Sequence, residues 1–156
     1  MSAAADRLLR RATTRALEEL ALILVGGDGD GTAAPRGPLD RTVTVAFDGR
    51  VRGRLIIETT SAVAAALAEN MLGEERPGAR VLATDALGEV ANVVCGNVLA
   101  ALVPDDGPFA LSAPRAHRAG EHTSSDEESP CASTELEVES GWVSVRLLMA
   151  APAAVR

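Results

Sequence analysis

The sequence predicts an α+β fold in which an antiparallel β-sheet is covered by helices, and three observations lead to that prediction. Two pairs of strand-like segments are joined by the turn signals Asp48-Gly49 and Ser140-Gly141, which predicts two β-hairpins. Three other segments carry apolar residues at helical spacing. With 156 residues, 47% of them hydrophobic, the chain can bury one core and is predicted to form a single domain over residues 1–156. The predicted order of elements is α-β-β-α-α-β-β-β.

The first helix is predicted from about residue 6 to residue 25, where Gly26-Gly27 ends it. Its Arg-rich start resembles a targeting peptide, but Glu18 and Glu19 continue the same periodic pattern and favour a structural helix. A loop over residues 26–40 follows, and the segments "TVTVAF" and "VRGRLIIET" then form the first hairpin. The predicted buried face of the helix consists of Leu9, Ala16, Leu20, Ile23 and Leu24.

Two helices are predicted in the middle of the chain. The first runs through "AVAAALAENML", is capped by Thr60 or Ser61, and stops at Gly73. The second follows the connector "GEERPGAR" and spans about Val81 to Val103. Its apolar stripe, which is predicted to face the core, consists of Leu87, Val90, Ala91, Val94, Val98, Ala101 and Leu102.

The last part of the chain predicts three strands. The segment "FALSAPRAHRA" is a strand interrupted by Pro114, which predicts an edge strand or a bend because proline has no backbone N–H to donate. Residues 120–132 are predicted to form a polar loop. The segments "TELEVES" and "WVSVRLLMA" then form the last hairpin.

Composition and charge exclude several classes of partner. The net charge of −7 and the isoelectric point of about 4.8 argue against nucleic acid or an anionic membrane as the main partner. The longest apolar run near the start, Leu20–Val25, is far too short to cross a bilayer, so no membrane insertion is predicted. Cys95 and Cys131 form neither a disulfide framework nor a CxxC pair, which favours a reducing, cytoplasmic location.

The segment "GDGDG" carries residue types that bind calcium. Asp28 and Asp30 match the first ligand positions of a calcium loop, but Thr32 and Leu39 stand where such a loop needs further oxygen ligands and a glutamate. The segment also lacks the Gly-Lys-Ser/Thr of a phosphate-binding loop, so a turn is the favoured interpretation.

Two histidines and two cysteines are further candidates for chemistry. His117 and His122 lie near Cys131, but at a strand end and in a polar loop, where a third ligand is not held rigidly; no metal site is predicted. The sequence has no evident Ser-His-Asp arrangement, and Cys95 has no basic neighbour that would lower the pKa of its thiol.

Four residues lie in single file on the polar side of the helix predicted at 81–103: Asp85, Glu89, Asn92 and Gly96. At about 100° per residue, their spacings of four, three and four keep them on one face. A regular solvated face would account for the bare pattern. However, Asn is a poor helix former and Gly costs about 1 kcal/mol relative to Ala, yet both stand in mid-helix. Since a glycine on an exposed face lets another backbone approach closely, the combination predicts a docking face.

This segment resembles the signature of the CheX/CheC/FliY family of chemotaxis phosphatases. The signature is Asp or Ser, then Glu four residues on, Asn three further and Pro about 22 residues downstream; Asp85, Glu89, Asn92 and Pro114 match these positions. The segments "ANVVCGN" and "ENMLGEE" resemble flanking parts of the family, and the similarity covers nearly the whole chain. Because the earlier helix "TSAVAAALAENML" lacks Glu-x-x-Asn, the chain is similar to the CheX type, which has one such helix, rather than to CheC, which has two.

The resemblance implies a phosphatase that acts on the aspartyl phosphate of a CheY-type response regulator. Glu89 and Asn92 would be catalytic, with Asn92 orienting the attacking water and Glu89 pairing with the active-site lysine of the partner. Asp85 and Gly96 would contact the partner, and Pro114 would shape the chain beside the helix without taking part in the chemistry. This chain is expected to bind no cofactor, since Mg²⁺ would be held by the response regulator.

The resemblance carries two further expectations and leaves one alternative open. By analogy with CheX, two chains pair through sheet edges into a homodimer. Because the substrate is a protein with a cleft of its own, the file of site residues is expected to form an open, flat or convex ridge. The alternative is a non-catalytic dimeric adaptor that binds a response regulator or another signalling protein. Asn92 distinguishes the two, because a pure adaptor has no need to keep it.

Overall fold

The computed structural model describes residues 2–26, 37–73, 79–105, 107–118, 121 and 126–150. Within these residues every strand pair is antiparallel, which confirms the predicted α+β class. The element order is α1 (Ala3–Ala21), β1 (Arg41–Asp48), β2 (Gly53–Thr59), α2 (Ser61–Leu72), α3 (Ala79–Leu102), β3 (Ala110–Leu111), β4 (Arg115–His117), β5 (Glu128–Val138) and β6 (Gly141–Ala150).

The strands form one sheet with the order β3-β1-β2-β6-β5, and β4 also pairs with β1. Both predicted hairpins are present, as β1–β2 and β5–β6. Pro114 separates β3 from β4 at the sheet edge beside β1, which confirms the prediction of an interrupted edge strand. The predicted polar loop over 120–132 is wrong for residues 128–132, because β5 begins at Glu128 and pairs with β6 despite its polar sequence.

α1 ends at Ala21 and not at residue 25, as the sequence predicts. Leu22 adopts a left-handed conformation with a φ of 54°, and its backbone N–H donates to the carbonyl of Leu17, which closes the helix. The chain then continues to Val25, which forms an isolated antiparallel bridge with Val138 at the end of β5. The apolar run "LALILV" is therefore divided: its first two residues complete α1, and its last residue, Val25, pairs with the edge of the sheet.

The buried face of α1 also differs from the predicted one. Leu20 and Leu24 are 40% and 74% exposed, whereas Leu17 is fully buried. Leu9, Ala16 and Ile23 are buried as predicted. Because the helix stops before Leu24, helical spacing no longer determines which way that residue points.

α3 packs its apolar stripe into the core between the helices and the sheet. Leu87, Val90, Ala91, Val94 and Val98 are buried as predicted, whereas Ala101 is exposed and Leu102 half-buried at the end of the helix. Residues 82–102 are long and apolar enough to cross a membrane by length and composition, but half of this apolar stretch is buried inside the protein, as in a core helix. Burial of the stripe leaves the opposite side of α3 at the surface.

Thr60 joins the start of α2 to the start of β6. It is the N-cap residue of α2, as predicted, but its side chain makes no capping hydrogen bond. Its Oγ1 instead accepts a hydrogen bond from the backbone N–H of Trp142 at 3.3 Å, while the Thr60 N–H donates to the Trp142 carbonyl at 3.2 Å. Gly141, with a φ of +151°, leaves room for Thr60 Oγ1 where a Cβ would lie 2.1 Å away. Trp142 is only 5% exposed, so this junction is buried.

Candidate functional site

The four residues of the predicted file lie together on the surface side of α3. Asp85 and Glu89 are exposed, and Asn92 and Gly96 are half-buried. Residues three or four positions apart are neighbours on a helix, so the side chains of Glu89 and Asn92 stand one turn apart on the same face. We call Asp85, Glu89, Asn92 and Gly96 the α3 row.

The polar atoms of Glu89 and Asn92 have no hydrogen-bond or ion-pair partner among the residues that the structure describes. Neither side chain is needed to hold the fold together, because the core contacts of α3 come from its apolar stripe. Both side chains can therefore bind water or a partner protein without breaking an internal contact. Such an arrangement is what a docking face requires.

Three of the four residues of the α3 row, all except Gly96, border a groove of about 360 Å³ and do not stand on a ridge. Asp85, Glu89 and Asn92 line one wall, and the facing wall is built from the end of α2 and from the edge of the sheet at Pro114 and Ala116. The expectation of a flat or convex surface is therefore wrong, because the chain around Pro114 rises beside the helix. The open character of the site is retained, since Asp85 and Glu89 are exposed.

Pro114 packs against α3 at Gly88. A Cβ placed on Gly88 would lie 2.9 Å from Cβ and 3.1 Å from Cγ of Pro114, closer than side-chain carbons normally approach. Gly88 directly precedes Glu89, so this contact sets the distance between the sheet edge and the α3 row. Sequence reasoning missed Gly88. The signal that finds it is a glycine in mid-helix, which costs about 1 kcal/mol relative to Ala unless a close contact requires it.

Gly96 has the opposite surroundings. Outside the backbone of α3 itself, no atom of the described residues would lie within 4 Å of a Cβ placed there. The structure of this chain therefore does not require glycine at this position. The missing side chain instead leaves space next to Asn92, as the docking interpretation predicts.

The other candidates do not come together into a site. The "GDGDG" segment and His122 lie outside the described residues. His117 Nε2 lies 2.8 Å from Thr44 Oγ1, and in the described ranges no group of three His, Cys, Asp or Glu side chains is arranged to hold a metal ion. Burial raises the pKa of the Cys95 thiol to about 12, so Cys95 is protonated at neutral pH and is no nucleophile.

Comparison with known proteins gives the family. Residues 41–137, which include the α3 row and Pro114, match the family described as "Chemotaxis phosphatase CheX". No curated protein shows significant similarity to the chain.

Several solved structures share the fold. A chemotaxis protein CheX from Desulfovibrio desulfuricans is 22% identical with a TM-score of 0.73, covering 94% of this chain and 99% of that chain. A chemotaxis protein CheX from Vibrio vulnificus is 21% identical with a TM-score of 0.70, covering 94% and 97%. The CheX–CheY–BeF₃–Mg²⁺ complex from Borrelia burgdorferi gives 19% identity, a TM-score of 0.69 and coverage of 93% and 97%. These similarities establish a common fold, and together with the match over residues 41–137 they show that the chain belongs to the CheX family of chemotaxis phosphatases.

Proposed function

We propose that this protein is a phosphatase of CheY-type response regulators, which hydrolyses the acyl phosphate on the aspartate of the regulator. The observation that carries the proposal is the placement of Glu89 and Asn92 side by side on the surface of α3, both without a partner in the described part of the chain. Membership of the CheX family supports the activity. The Borrelia burgdorferi complex, in which CheX is bound to CheY with BeF₃ and Mg²⁺, supports the kind of partner.

Asn92 orients the attacking water. Its amide oxygen accepts a hydrogen bond from the water, and its NH₂ group donates toward a phosphoryl oxygen. The water oxygen forms a bond to phosphorus while the bond between phosphorus and the aspartate oxygen breaks, and the proton that the water loses leaves with inorganic phosphate. A carboxylate at this position would place a negative charge beside an anionic phosphoryl group, which is why an amide suits the task.

Glu89 positions the regulator. Its exposed carboxylate pairs with the active-site lysine of the regulator, and exclusion of water at the interface strengthens this charged hydrogen bond. Asp85 and Gly96, at the two ends of the α3 row, contact the regulator on either side. Pro114 has no chemical role and holds the sheet edge against Gly88. The Mg²⁺ ion belongs to the regulator.

We further propose that the protein acts as a homodimer in the cytoplasm. The free thiols of Cys95 and Cys131 support a reducing location. Sedimentation equilibrium of the full chain tests the assembly: a dimer gives twice the chain mass of 16.1 kDa, whereas a mass of 16.1 kDa contradicts the dimer.

The phosphatase proposal is tested by timing the loss of phosphate from a phosphorylated CheY-type receiver domain. Asn92→Ala is expected to lower the catalysed rate by about 10²-fold or more, as loss of one preorganised polar group does in other enzymes, with little change in affinity. Asn97→Ala is the matched control, because Asn97 is exposed on α3 but lies outside the α3 row. Equal rates for wild type and Asn92→Ala would remove Asn92 from the chemistry and favour the non-catalytic adaptor.

A further inference from the structure

A second cavity lies beside the groove of the α3 row. Its volume of about 420 Å³ is within the range of small-molecule binding sites. Val43, Thr84 and Ala116 line both the groove and this cavity, so the two are neighbours at one end of the domain. The remaining walls come from the start of β1, from α2 and α3, and from β4 with the residues that follow it.

The lining of this cavity is rich in cationic side chains, although the chain as a whole carries a net charge of −7. Three arginines, Arg41, Arg115 and Arg118, line it together with His117, and two carboxylates, Asp40 and Glu121, leave a formal excess of one positive charge with His117 neutral. Asp40 Oδ1 is also buried without a hydrogen-bond partner in the described part of the chain. A guanidinium group presents a planar fork of donors that matches a carboxylate or a phosphate. The concentration of three such groups around one cavity indicates a site for an anion.

Two of these residues carry a buried nitrogen that has no hydrogen-bond partner in the described part of the chain, Arg41 Nε and His117 Nδ1. The His117 side chain is 8% exposed, and its other ring nitrogen, Nε2, lies 2.8 Å from Thr44 Oγ1. When the Thr44 hydroxyl donates to Nε2, the proton of the neutral imidazole is on Nδ1, which is then a donor. Buried donors are almost always paired in folded proteins, so two unpaired donors on one cavity are an unusual feature.

The carboxylate of Glu121 lies beside Arg118 and His117 in this cavity. Its Oε2 accepts a hydrogen bond from the backbone N–H of Arg118 at 3.1 Å and lies 3.7 Å from His117 Nδ1. The Arg118 hydrogen bond lowers the pKa of the Glu121 carboxyl below its ordinary value, and the charges of His117, Arg115 and Arg118 act in the same direction. The cluster therefore favours a negative charge at this place.

We propose that this cavity binds a small anion, whose carboxylate or phosphate group takes the place of the Glu121 carboxylate among Arg115, His117 and Arg118. In the free protein Glu121 acts as a tethered competitor for these donors. When the anion binds, the Glu121 side chain moves toward solvent, which is easy because it is already 48% exposed. The Nδ1 atom of His117, which solvent does not reach in the free protein, then gains a partner.

The test is a titration of the ¹⁵N-labelled full chain with inorganic phosphate and, separately, with succinate, followed by NMR at constant ionic strength. A saturable shift of the backbone amides of Arg115, His117 and Arg118 with one of the two probes supports the site and identifies the anion class. Shifts that do not saturate with either probe overturn the proposal. No response regulator is present, so the result does not depend on phosphatase activity.

Matched variants test the role of each group. Glu121→Gln removes the competing charge and keeps an oxygen that can accept from the Arg118 N–H, so the anion is expected to bind about tenfold more tightly, since a tethered competitor acts at high effective concentration. Glu139→Gln removes the same charge in the β5–β6 turn and is expected to leave the affinity unchanged. Arg115→Gln is expected to weaken binding at least as much as Glu121→Gln strengthens it, whereas Arg7→Gln on α1 is not. Equal effects of Glu121→Gln and Glu139→Gln would contradict the proposed competition.

Discussion

Asn92 and Glu89 stand one turn apart on α3, yet their side chains differ in the one property that matters beside an anionic phosphoryl group. The Asn92 amide is neutral and has both a donor and an acceptor, so its contribution depends on where it holds a water molecule. The Glu89 carboxylate is charged, so its contribution depends on a cation that the partner supplies. The two residues are therefore expected to separate chemistry from binding when each is changed on its own.

Glu89→Ala is expected to weaken binding of the phosphorylated regulator as well as its turnover. Removal of one partner from a charge pair at an interface costs about 2–5 kcal/mol, because the other charge is left unpaired. Isothermal titration calorimetry with the receiver domain measures the loss. Glu18→Ala, which removes an exposed carboxylate from α1, is the control. An unchanged affinity for Glu89→Ala would contradict the assigned role, whereas Asn92→Ala is expected to leave the affinity nearly unchanged.

Because the pKa of the buried Cys95 thiol is raised, the free energy of unfolding is expected to fall at alkaline pH. The pKa of this thiol is about 12 in the folded chain against an ordinary 9.0, so the unfolded chain loses the proton first and the folded state is disfavoured as the pH rises between these values. Each pH unit in this window removes up to about 1.4 kcal/mol from the free energy of unfolding. The chain has no lysine and no tyrosine, so thiols are its only side chains that titrate there.

Urea unfolding at about pH 8 and about pH 10 measures this effect as the difference between two free energies of unfolding. Wild type is expected to be less stable at the higher pH, and Cys95→Ala is expected to lose most of that difference. Cys131→Ala is the control: burial also raises the pKa of the Cys131 thiol, but Cys131 is only partly buried, so this variant is expected to keep most of the wild-type pH dependence. A pH dependence as large in Cys95→Ala as in wild type would refute the assignment.

At the scale of elements, α3 performs two tasks on two faces. Its apolar stripe fills the core, and its opposite face carries the α3 row. Two glycines on the helix have different reasons for being there. Gly88 is required by the contact with Pro114, whereas Gly96 has open space around it. Alanine at the two positions is therefore expected to have opposite effects on stability.

Gly96→Ala is expected to raise the free energy of unfolding by about 1 kcal/mol, since alanine is the better helix former and no atom clashes with its Cβ. Gly88→Ala is expected to lower it, because overpacking against Pro114 costs about 1–3 kcal/mol and exceeds the gain in helix propensity. Urea unfolding of both variants measures the difference. If Gly96→Ala also weakens regulator binding, the added methyl group meets the partner. Greater stability of Gly88→Ala than of wild type would contradict the contact with Pro114.

The elements that local patterns determine could be predicted from the sequence, and those that depend on distant contacts could not. The α3 row follows from helical spacing, and the two hairpins follow from their turn residues, so both are visible in a short stretch of chain. The end of α1 is different: "LALILV" continues the helical pattern, but the bridge between Val25 and Val138 requires an extended chain. The groove beside the α3 row could not be predicted from the sequence either, because it depends on the packing of Pro114 on Gly88, and these two residues are far apart in the chain.

At the scale of the whole molecule, α1 covers the outer edge of the sheet at β5. Three backbone groups of β5 that face away from β6 are satisfied from the N-terminal segment. The Ser133 N–H donates to Asp6 Oδ1 at 2.8 Å, the Glu135 carbonyl accepts from Arg10 Nη1 at 3.1 Å, and the Glu137 carbonyl accepts from the Gly26 N–H at 2.8 Å. An uncovered edge strand is a template for pairing with another chain, and this edge is blocked over residues 133–137.

The double variant Asp6→Ala with Arg10→Ala is expected to uncover this edge. Loss of two hydrogen bonds made by charged side chains is expected to lower the free energy of unfolding by about 1.5–3 kcal/mol for each bond, reduced by partial exposure. Circular dichroism during thermal unfolding and light scattering at rest measure stability and association together. Arg7→Ala with Arg11→Ala changes exposed arginines of the same helix and is the control. Unaltered stability and association in the Asp6/Arg10 variant would show that α1 does not protect the edge.

The buried side chain of Trp142 also gives the protein an intrinsic fluorescence signal. Trp142 is the only tryptophan and the chain has no tyrosine, so a single indole dominates its intrinsic fluorescence. The backbone of Trp142 is hydrogen-bonded to Thr60 at the start of α2, whereas Leu72 at the other end of the same helix lines the groove of the α3 row. A red shift of the emission therefore reports exposure of the buried Trp142 side chain when the protein unfolds, and a regulator that docks in the groove is expected to leave the emission maximum unchanged. Unfolding and binding can be followed in the same cuvette by two independent signals when the partner carries an external dye.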